Sequence, residues 1–85
     1  MLISEIKKLP PGEAIAILDK IISQEPANEE ALILRGLKHW SIGNRREAIN
    51  DYLAALQLNP QSEAKSLLQY TNSILDFYNK DLLNP

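Results

Sequence analysis

The sequence predicts an all-α protein of about five helices that stack as antiparallel hairpins. The first observation behind this prediction is a repeat of 34 residues: Glu-Ala-Ile at positions 13–15 returns at 47–49, and Pro26 returns as Pro60. The second is that apolar residues recur at spacings of three and four, whereas no run alternates as a half-buried strand would. A repeat of this length is typical of helical hairpins that bury a core between neighbouring units.

Length and composition describe one small domain. The 85 residues are 45% hydrophobic and 24% charged, which is ordinary for a globular protein. The net charge of −2 gives no electrostatic reason to expect nucleic acid or a membrane as partner. Cysteine is absent, and no apolar run approaches the ~18 residues that a membrane-spanning helix needs. The amino-terminal segment is too short and too charged for a signal peptide, so we expect a cytoplasmic protein.

The first two predicted helices meet at a Pro-Pro-Gly turn. A short helix over residues 3–9 ends at Pro10, and Pro11 opens the next helix, where its missing N–H costs nothing. This second helix covers residues 11–24 and ends before Pro26, which disfavours helical backbone in the residue that precedes it. Its apolar face consists of Ala14, Ile15, Leu18, Ile21 and Ile22.

Capping residues mark the remaining helices. Asn28 is the expected N-cap of a third helix that ends at about residue 42, where Gly43 is predicted to be left-handed. Asn44 and Glu47 are spaced as a capping box for a fourth helix over residues 45–58. Ser62 is the expected cap of a fifth helix, over 63–78. The chain then divides into a truncated repeat (1–28), a full repeat (29–62), a capping helix (63–78) and a tail (79–85).

The full repeat carries a pattern of six residues at fixed spacing: Gly36, Gly43, Ala48, Tyr52, Ala55 and Pro60. Residues 29–62 therefore resemble a tetratricopeptide repeat (TPR). Small residues at 36 and 48 suit two helices that cross closely, and the tyrosine fills the space beside the crossing. The resemblance implies hairpins with a right-handed superhelical trend, a concave surface lined by the first helix of each hairpin, and a function in protein binding.

The repeat departs from the TPR pattern at four positions. Leu32 and Arg45 stand where the family has aromatic residues, Arg35 replaces a leucine, and His39 replaces a tyrosine. Arg35 and His39 fall on the face that should meet the second helix of the hairpin. Either they extend along its edge toward water, or this hairpin packs less tightly than a typical one. Arg45 and Arg46 begin a helix, where the dipole does not favour cations, so the sequence suggests no role for them.

The resemblance also implies which residues line the concave surface. They are Glu30, Ile33, Leu37 and Trp40. Two interpretations remain open: the first helix or the C-terminal segment covers them, or they form an apolar groove for a peptide or a second copy of the chain. Some TPR domains hold a carboxylate with Lys and Asn side chains at the places of Ile33 and Leu37. Because these two residues donate no hydrogen bond, we expect no ligand of that carboxylate-clamp type.

The fifth helix is more apolar than a capping helix needs to be. It either folds back on the core or provides a dimer or docking face, for which the candidates are Leu67, Thr71, Ile74, Leu75 and Tyr78. A two-fold pairing would be the commonest geometry.

No residue pattern indicates chemistry. His39 is the only histidine, the aspartates form no evident acid–base pair, and the glycines are isolated, so we expect no metal, no cofactor and no catalysis. The sequence thus predicts a protein–protein interaction module that binds its partner through an apolar groove. The alternatives are a homodimerising scaffold and a small accessory subunit that positions or stabilises a separately encoded enzyme.

Overall fold

The structure is a computed structural model that describes residues 2–71, and all regular structure within that range is helical. Four helices are α1 (Ile3–Ile6), α2 (Pro11–Gln24), α3 (Glu29–Ser41) and α4 (Arg45–Leu58). A fifth, α5, covers residues 64–71. The predicted all-α class, with about five helices, is confirmed.

The helix boundaries follow the 34-residue repeat. Both ends of α4 lie 34 residues after the corresponding ends of α2, as the sequence predicts. Among the helices predicted to lie wholly within residues 2–71, only α1 is clearly shorter than expected. After Ile6 the chain makes tight turns, with the amide of Leu9 donating to the carbonyl of Ile6 at 3.0 Å. Because Pro10 disfavours helical backbone in the residue before it, the α-helix gives way to these turns.

Three of the four predicted terminal residues act as expected. The Asn28 side chain accepts from the amide of Ala31 at 3.0 Å, Gly43 has φ of 84°, and Ser62 Oγ accepts from the amide of Ala64 at 3.1 Å. The predicted capping box at Asn44 is wrong, since its side chain makes no capping hydrogen bond. The side-chain nitrogen Nδ2 of Asn44 lies instead 3.2 Å from Nδ1 of His39, so a contact with the preceding helix replaces the cap.

Helix α3 lies between α2 and α4 and packs against both. At its beginning, the Glu29 carboxylate accepts from the side-chain nitrogen Nδ2 of Asn59, just after α4, at 3.1 Å. Near its end, Lys38 Nζ donates to the carbonyl of Leu9, just before α2, at 2.9 Å. Because the start of α3 meets the end of α4, and its end meets the start of α2, α3 is antiparallel to both neighbours.

Within residues 2–71 two buried clusters form the core, and α3 contributes to each. The cluster among α1, α2 and α3 contains Ile6, Ala14, Leu18, Ala31 and Leu34. The cluster among α3, α4 and α5 contains Leu32, Ile33, Ala48, Tyr52, Ala55, Ala64 and Leu68. A helix packed on two sides must be apolar on two faces, which explains why four consecutive residues of α3, 31–34, are buried.

The close crossing predicted between α3 and α4 is confirmed at Gly36. A Cβ atom added there would lie 2.5 Å from Cε1 of Tyr52 and 3.3 Å from the carbonyl oxygen of Ala48. Tyr52 is 2% exposed, so its ring has little space into which to move. Only glycine therefore fits the crossing without displacing the neighbouring helix.

Arg35 joins α2, α3 and α4 through two carboxylates. Its Nε and Nη2 donate to the two oxygens of Asp51 at 2.9 and 2.7 Å, and Nη1 donates to Asp19 at 2.8 Å. The hydrogen bond to Asp51 is the main cause that raises the pKa of Arg35 above its usual value. Arg35 thus extends along the edge of the α3–α4 contact, which was the first of the two alternatives predicted for it. Its charge is paired with two carboxylates rather than left to water. The sequence analysis did not anticipate this pairing, because each carboxylate is 16 residues from the arginine.

Candidate interaction groove

A groove runs along α3, with α1 on one side and the start of α5 on the other. Its volume is about 270 Å³. The residues that line it are Ile3, Ser4, Lys7, Glu30, Ile33, Leu34, Leu37 and Glu63. The groove exists because α1 and α5 both pack against α3 on the side away from Arg35, and the described residues leave the middle of that side uncovered.

The structure brings three of the four predicted groove residues into this hollow. Glu30 is exposed and Leu37 is 40% exposed, whereas Ile33 is only 5% exposed and forms part of the floor. Trp40 is half-buried and packs against the α3–α4–α5 cluster instead. The groove is therefore open at Glu30 and Leu37 and shallow over Ile33.

A second, smaller hollow continues the groove toward the end of α3. Its volume is about 100 Å³, and its lining is formed by Leu37, Trp40, Tyr52, Leu67, Tyr70 and Thr71. Leu37 lines both hollows, so they adjoin at this side chain. Tyr70 is 62% exposed at the rim. Together the two hollows extend from the first turn of α3 to its last turn.

Charged residues divide the larger hollow into two ends. Glu30 and Glu63 lie at the end where α3 begins. Lys7 lies at the other end, because its carbonyl accepts from Nζ of Lys38 at 2.8 Å. Neither side-chain carboxylate has a hydrogen-bond or ion-pair partner within residues 2–71. The neighbouring Glu29 differs, since it holds Asn59.

Trp40 interacts with a cation that the sequence left unexplained. The guanidinium carbon of Arg45 lies 5.1 Å from the centroid of the Trp40 ring, which is a cation–π distance. The signal that could have revealed it is the arginine just past the turn that follows the tryptophan. Nothing in the structure explains Arg46.

The candidate dimer or docking face on the fifth helix lies only partly within the described range. Leu67 is half-buried, and Thr71 is 1% exposed, so Thr71 packs inward. Ile74, Leu75 and Tyr78 lie outside the described residues, as does the predicted tail, 79–85.

In residues 2–71 no three His, Asp or Glu side chains come together as metal ligands would. Asp19 and Asp51 are both bound by Arg35, and His39 lies beside Asn44. No helix in the same range combines the length and the apolar character that crossing a bilayer requires.

Comparison with known proteins returned no match. No protein-family model, no curated protein and no solved structure is significantly similar to the chain.

Proposed function

We propose that this protein is a TPR-like interaction module that binds a segment of a partner protein along α3, without catalysis or cofactor. The observation that carries the proposal is Leu37, an aliphatic side chain that is 40% exposed where two adjoining hollows meet. Covering such a side chain removes apolar surface from water, and half-buried Trp40 beside it supplies an aromatic anchor.

The shape of the groove favours a chain segment over a small molecule. Pockets for drug-sized ligands enclose roughly 300–1,000 Å³ and bury most of the ligand. The two hollows here hold about 270 and about 100 Å³ and are arranged end to end along one helix. An occupant with side chains spaced along a backbone would fill both, whereas a compact molecule would fill one.

Two features of the fold support the TPR-like part of the proposal. The first and last residues of α4 each lie 34 residues after the first and last residues of α2. The Gly36–Tyr52 contact places a glycine and an aromatic ring where the six-residue pattern requires a close crossing. In such repeats the first helix of each hairpin lines the concave surface, and the proposal assigns this role to α3, whose residues line the groove.

The proposal is tested by selecting peptides from a random displayed library on the immobilised protein. Selected peptides are synthesised and titrated, with fluorescence of Trp40, the only tryptophan, as the signal. We expect Leu37→Asp to weaken their binding at least about tenfold, because it places a charge in the apolar contact. Leu53→Asp is the matched control, since Leu53 is 46% exposed on α4 and lines neither hollow.

Two outcomes would contradict the proposal. One is that the library yields no peptide that binds in solution. The other is that Leu37→Asp and Leu53→Asp weaken binding equally, which would place the contact elsewhere or show a general loss of structure. Circular dichroism of both variants distinguishes a contact elsewhere, with helix content retained, from a general loss of structure, with helix content reduced.

Self-association is the second candidate, favoured by the exposure of Tyr70 and Leu37 at adjoining positions. Light scattering would give 9.6 kDa for a monomer and twice that mass for a homodimer. Recovery of an enzyme in a stable complex from the source cell would instead favour the accessory-subunit alternative. The cytoplasmic location predicted from the sequence belongs to the same proposal and is tested by imaging a fluorescent fusion.

A further inference from the structure

We propose that the groove selects its partner by charge: it takes an extended segment with a basic residue at the Glu30 end and an aliphatic residue at Leu37. This inference rests on the proposed function and specifies the chemistry of the partner. It derives from the arrangement of Glu30, Glu63 and Lys7 around the exposed Leu37.

The two glutamates line the same end of the hollow because α3 and α5 run in the same direction. Glu63, just before α5, lines the same hollow as Glu30 in the first turn of α3, while Thr71 lines the second hollow with Trp40. Each helix start contributes about half a positive charge, so two starts offset about one of the two negative charges. About one net negative charge therefore remains at this end of the groove.

Within residues 2–71 the fold does not use these two carboxylates. Glu29 holds Asn59, and both Asp19 and Asp51 are bound by Arg35. The side-chain carboxylates of Glu30 and Glu63, in contrast, have no hydrogen-bond or ion-pair partner within the described residues. A cationic side chain of a partner would meet two carboxylates that are free to bind it.

Lys7 determines which way the partner's charges must lie. It lies at the end of the larger hollow opposite Glu30, near Leu37. A basic residue placed there would be repelled, and an acidic residue placed at the Glu30 end would be repelled as well. A segment with its cation at the Glu30 end avoids both repulsions, and unlike an uncharged segment it is also attracted by the two carboxylates.

The spacing along α3 sets the spacing along the partner. Seven residues separate Glu30 from Leu37, which corresponds to about 10 Å of helix. An extended chain covers about 10 Å in about three residues. The second hollow begins at Leu37 and, at about 100 Å³, accommodates one aliphatic side chain. The expected partner motif is thus a Lys or Arg with an aliphatic residue about three positions away.

The test compares peptides selected from one library on three forms of the full chain. The first is the wild type, and the second is the double variant Glu30→Lys/Glu63→Lys. The third, Glu13→Lys/Glu47→Lys, is the matched control: both glutamates are exposed in first turns of helices and line neither hollow. It changes the net charge by the same amount and weakens helix starts in the same way.

We expect the wild type and the control to enrich Lys or Arg next to an aliphatic residue, and Glu30→Lys/Glu63→Lys to enrich Asp or Glu. A peptide selected on the wild type should lose at least about tenfold in affinity on Glu30→Lys/Glu63→Lys and keep its affinity on the control. If the lysine variant does not fold by circular dichroism, Glu30→Gln/Glu63→Gln replaces it, with an expected loss of about threefold.

The outcomes separate the charge preference from the proposed function. Two outcomes would overturn the charge preference and leave peptide binding intact. One is that the peptides selected on the wild type lack basic residues. The other is that reversing the charges at positions 30 and 63 leaves the peptide affinities unchanged. Failure to select any peptide would overturn both the charge preference and peptide binding. A protein that is dimeric by light scattering and binds no peptide would identify a second copy as the occupant, which also overturns the inference.

Discussion

The two sides of α3 use their polar residues differently. On the side that faces α2 and α4, Arg35 binds two carboxylates, Glu29 holds Asn59, and Lys38 reaches the carbonyls of residues 7 and 9. On the side that lines the groove, Glu30 has no partner within the described residues, and Leu37 is 40% exposed. Arg35 and Leu37 are two residues apart, and therefore about 200° apart around the helix.

This difference follows from burial. A charge taken out of water needs a counter-charge and hydrogen bonds, so polar groups between packed helices are paired or eliminated. A charge at the surface of a groove keeps its hydration and needs no partner. We therefore expect changes on the packed side of α3 to alter stability, and changes on the groove side to alter binding.

The largest expected effect is that of Asp51→Asn, which breaks the pair on the packed side. Asp51 is 5% exposed and accepts two hydrogen bonds from Arg35. Removing its charge should lower the free energy of unfolding by about 3 kcal/mol, the lower end for buried pairs, because Arg35 keeps Asp19. Urea denaturation followed by circular dichroism measures this change.

Asp19→Asn is the matched control for that measurement. The Asp19 side chain is 55% exposed, so its ion pair with Arg35 should contribute less than about 1 kcal/mol. Equal losses from the two substitutions would show that burial does not determine the strength of these pairs, and the comparison between the two sides of α3 would then fail.

The second effect tests the packing of the same side. Gly36→Ala should destabilise the protein by about 1–3 kcal/mol, because the added Cβ would overlap the ring of Tyr52 at 2.5 Å. Gly12→Ala is the control, since a Cβ there has no neighbour within 4 Å. Thermal unfolding of the two variants compares them. An unaltered melting temperature for Gly36→Ala would mean that α3 and α4 can separate at no cost.

The third effect is a loss of stability in alkaline solution. Burial, with the charge of Asp51 as a second cause, raises the pKa of Tyr52 above its usual value. The unfolded chain then releases this proton at lower pH than the folded protein. The contribution of Tyr52 is fully present below about pH 10, the usual tyrosine pKa, and is lost as pH rises through the folded pKa.

Melting temperatures measured from pH 9 to pH 11 test this expectation. Tyr52→Phe should flatten the decline, because phenylalanine has no proton to release. Tyr70→Phe, at a tyrosine that is 62% exposed, should keep the wild-type decline. Parallel curves for the wild type and Tyr52→Phe would show that ionisation of Tyr52 does not oppose folding.

The smallest expected effect is on the groove side. Glu30→Gln should change the free energy of unfolding by less than about 0.5 kcal/mol, because Glu30 is exposed and unpaired within the described residues. Urea denaturation would measure it beside Glu29→Gln, which weakens the hydrogen bond to Asn59. A larger loss from Glu30→Gln would show that the groove side also stabilises the fold.

Local interactions explain why the helices were predictable. Pro11, Asn28 and Gly43 act on backbone groups within a few residues, and each of the three lies at or next to a helix end. The prediction that Asn44 caps α4 is wrong because of a contact outside its own helix. The predicted cap competes with the side chain of His39, which the turn brings within 3.2 Å, and this contact replaces the cap.

The candidate site was only half predictable. Helical periodicity alone places Glu30, Ile33, Leu37 and Trp40 on one side of α3. Their exposure depends on how closely α1, α4 and α5 approach, and the approach differs along the helix: Ile33 is buried and Leu37 is not. Glu63 joins the site through the direction of α5, which no spacing in α3 reveals.

The sequence by itself determined the helical class, the positions of the turns and the 34-residue phase, because these depend on neighbours along the chain. Only the tertiary structure decided that Arg35 is paired while the Glu30 carboxylate has no partner within residues 2–71, and which side of α3 these residues leave open. The physical reason is that pairing and exposure depend on distances between helices, and the residues that set those distances lie far apart in the chain.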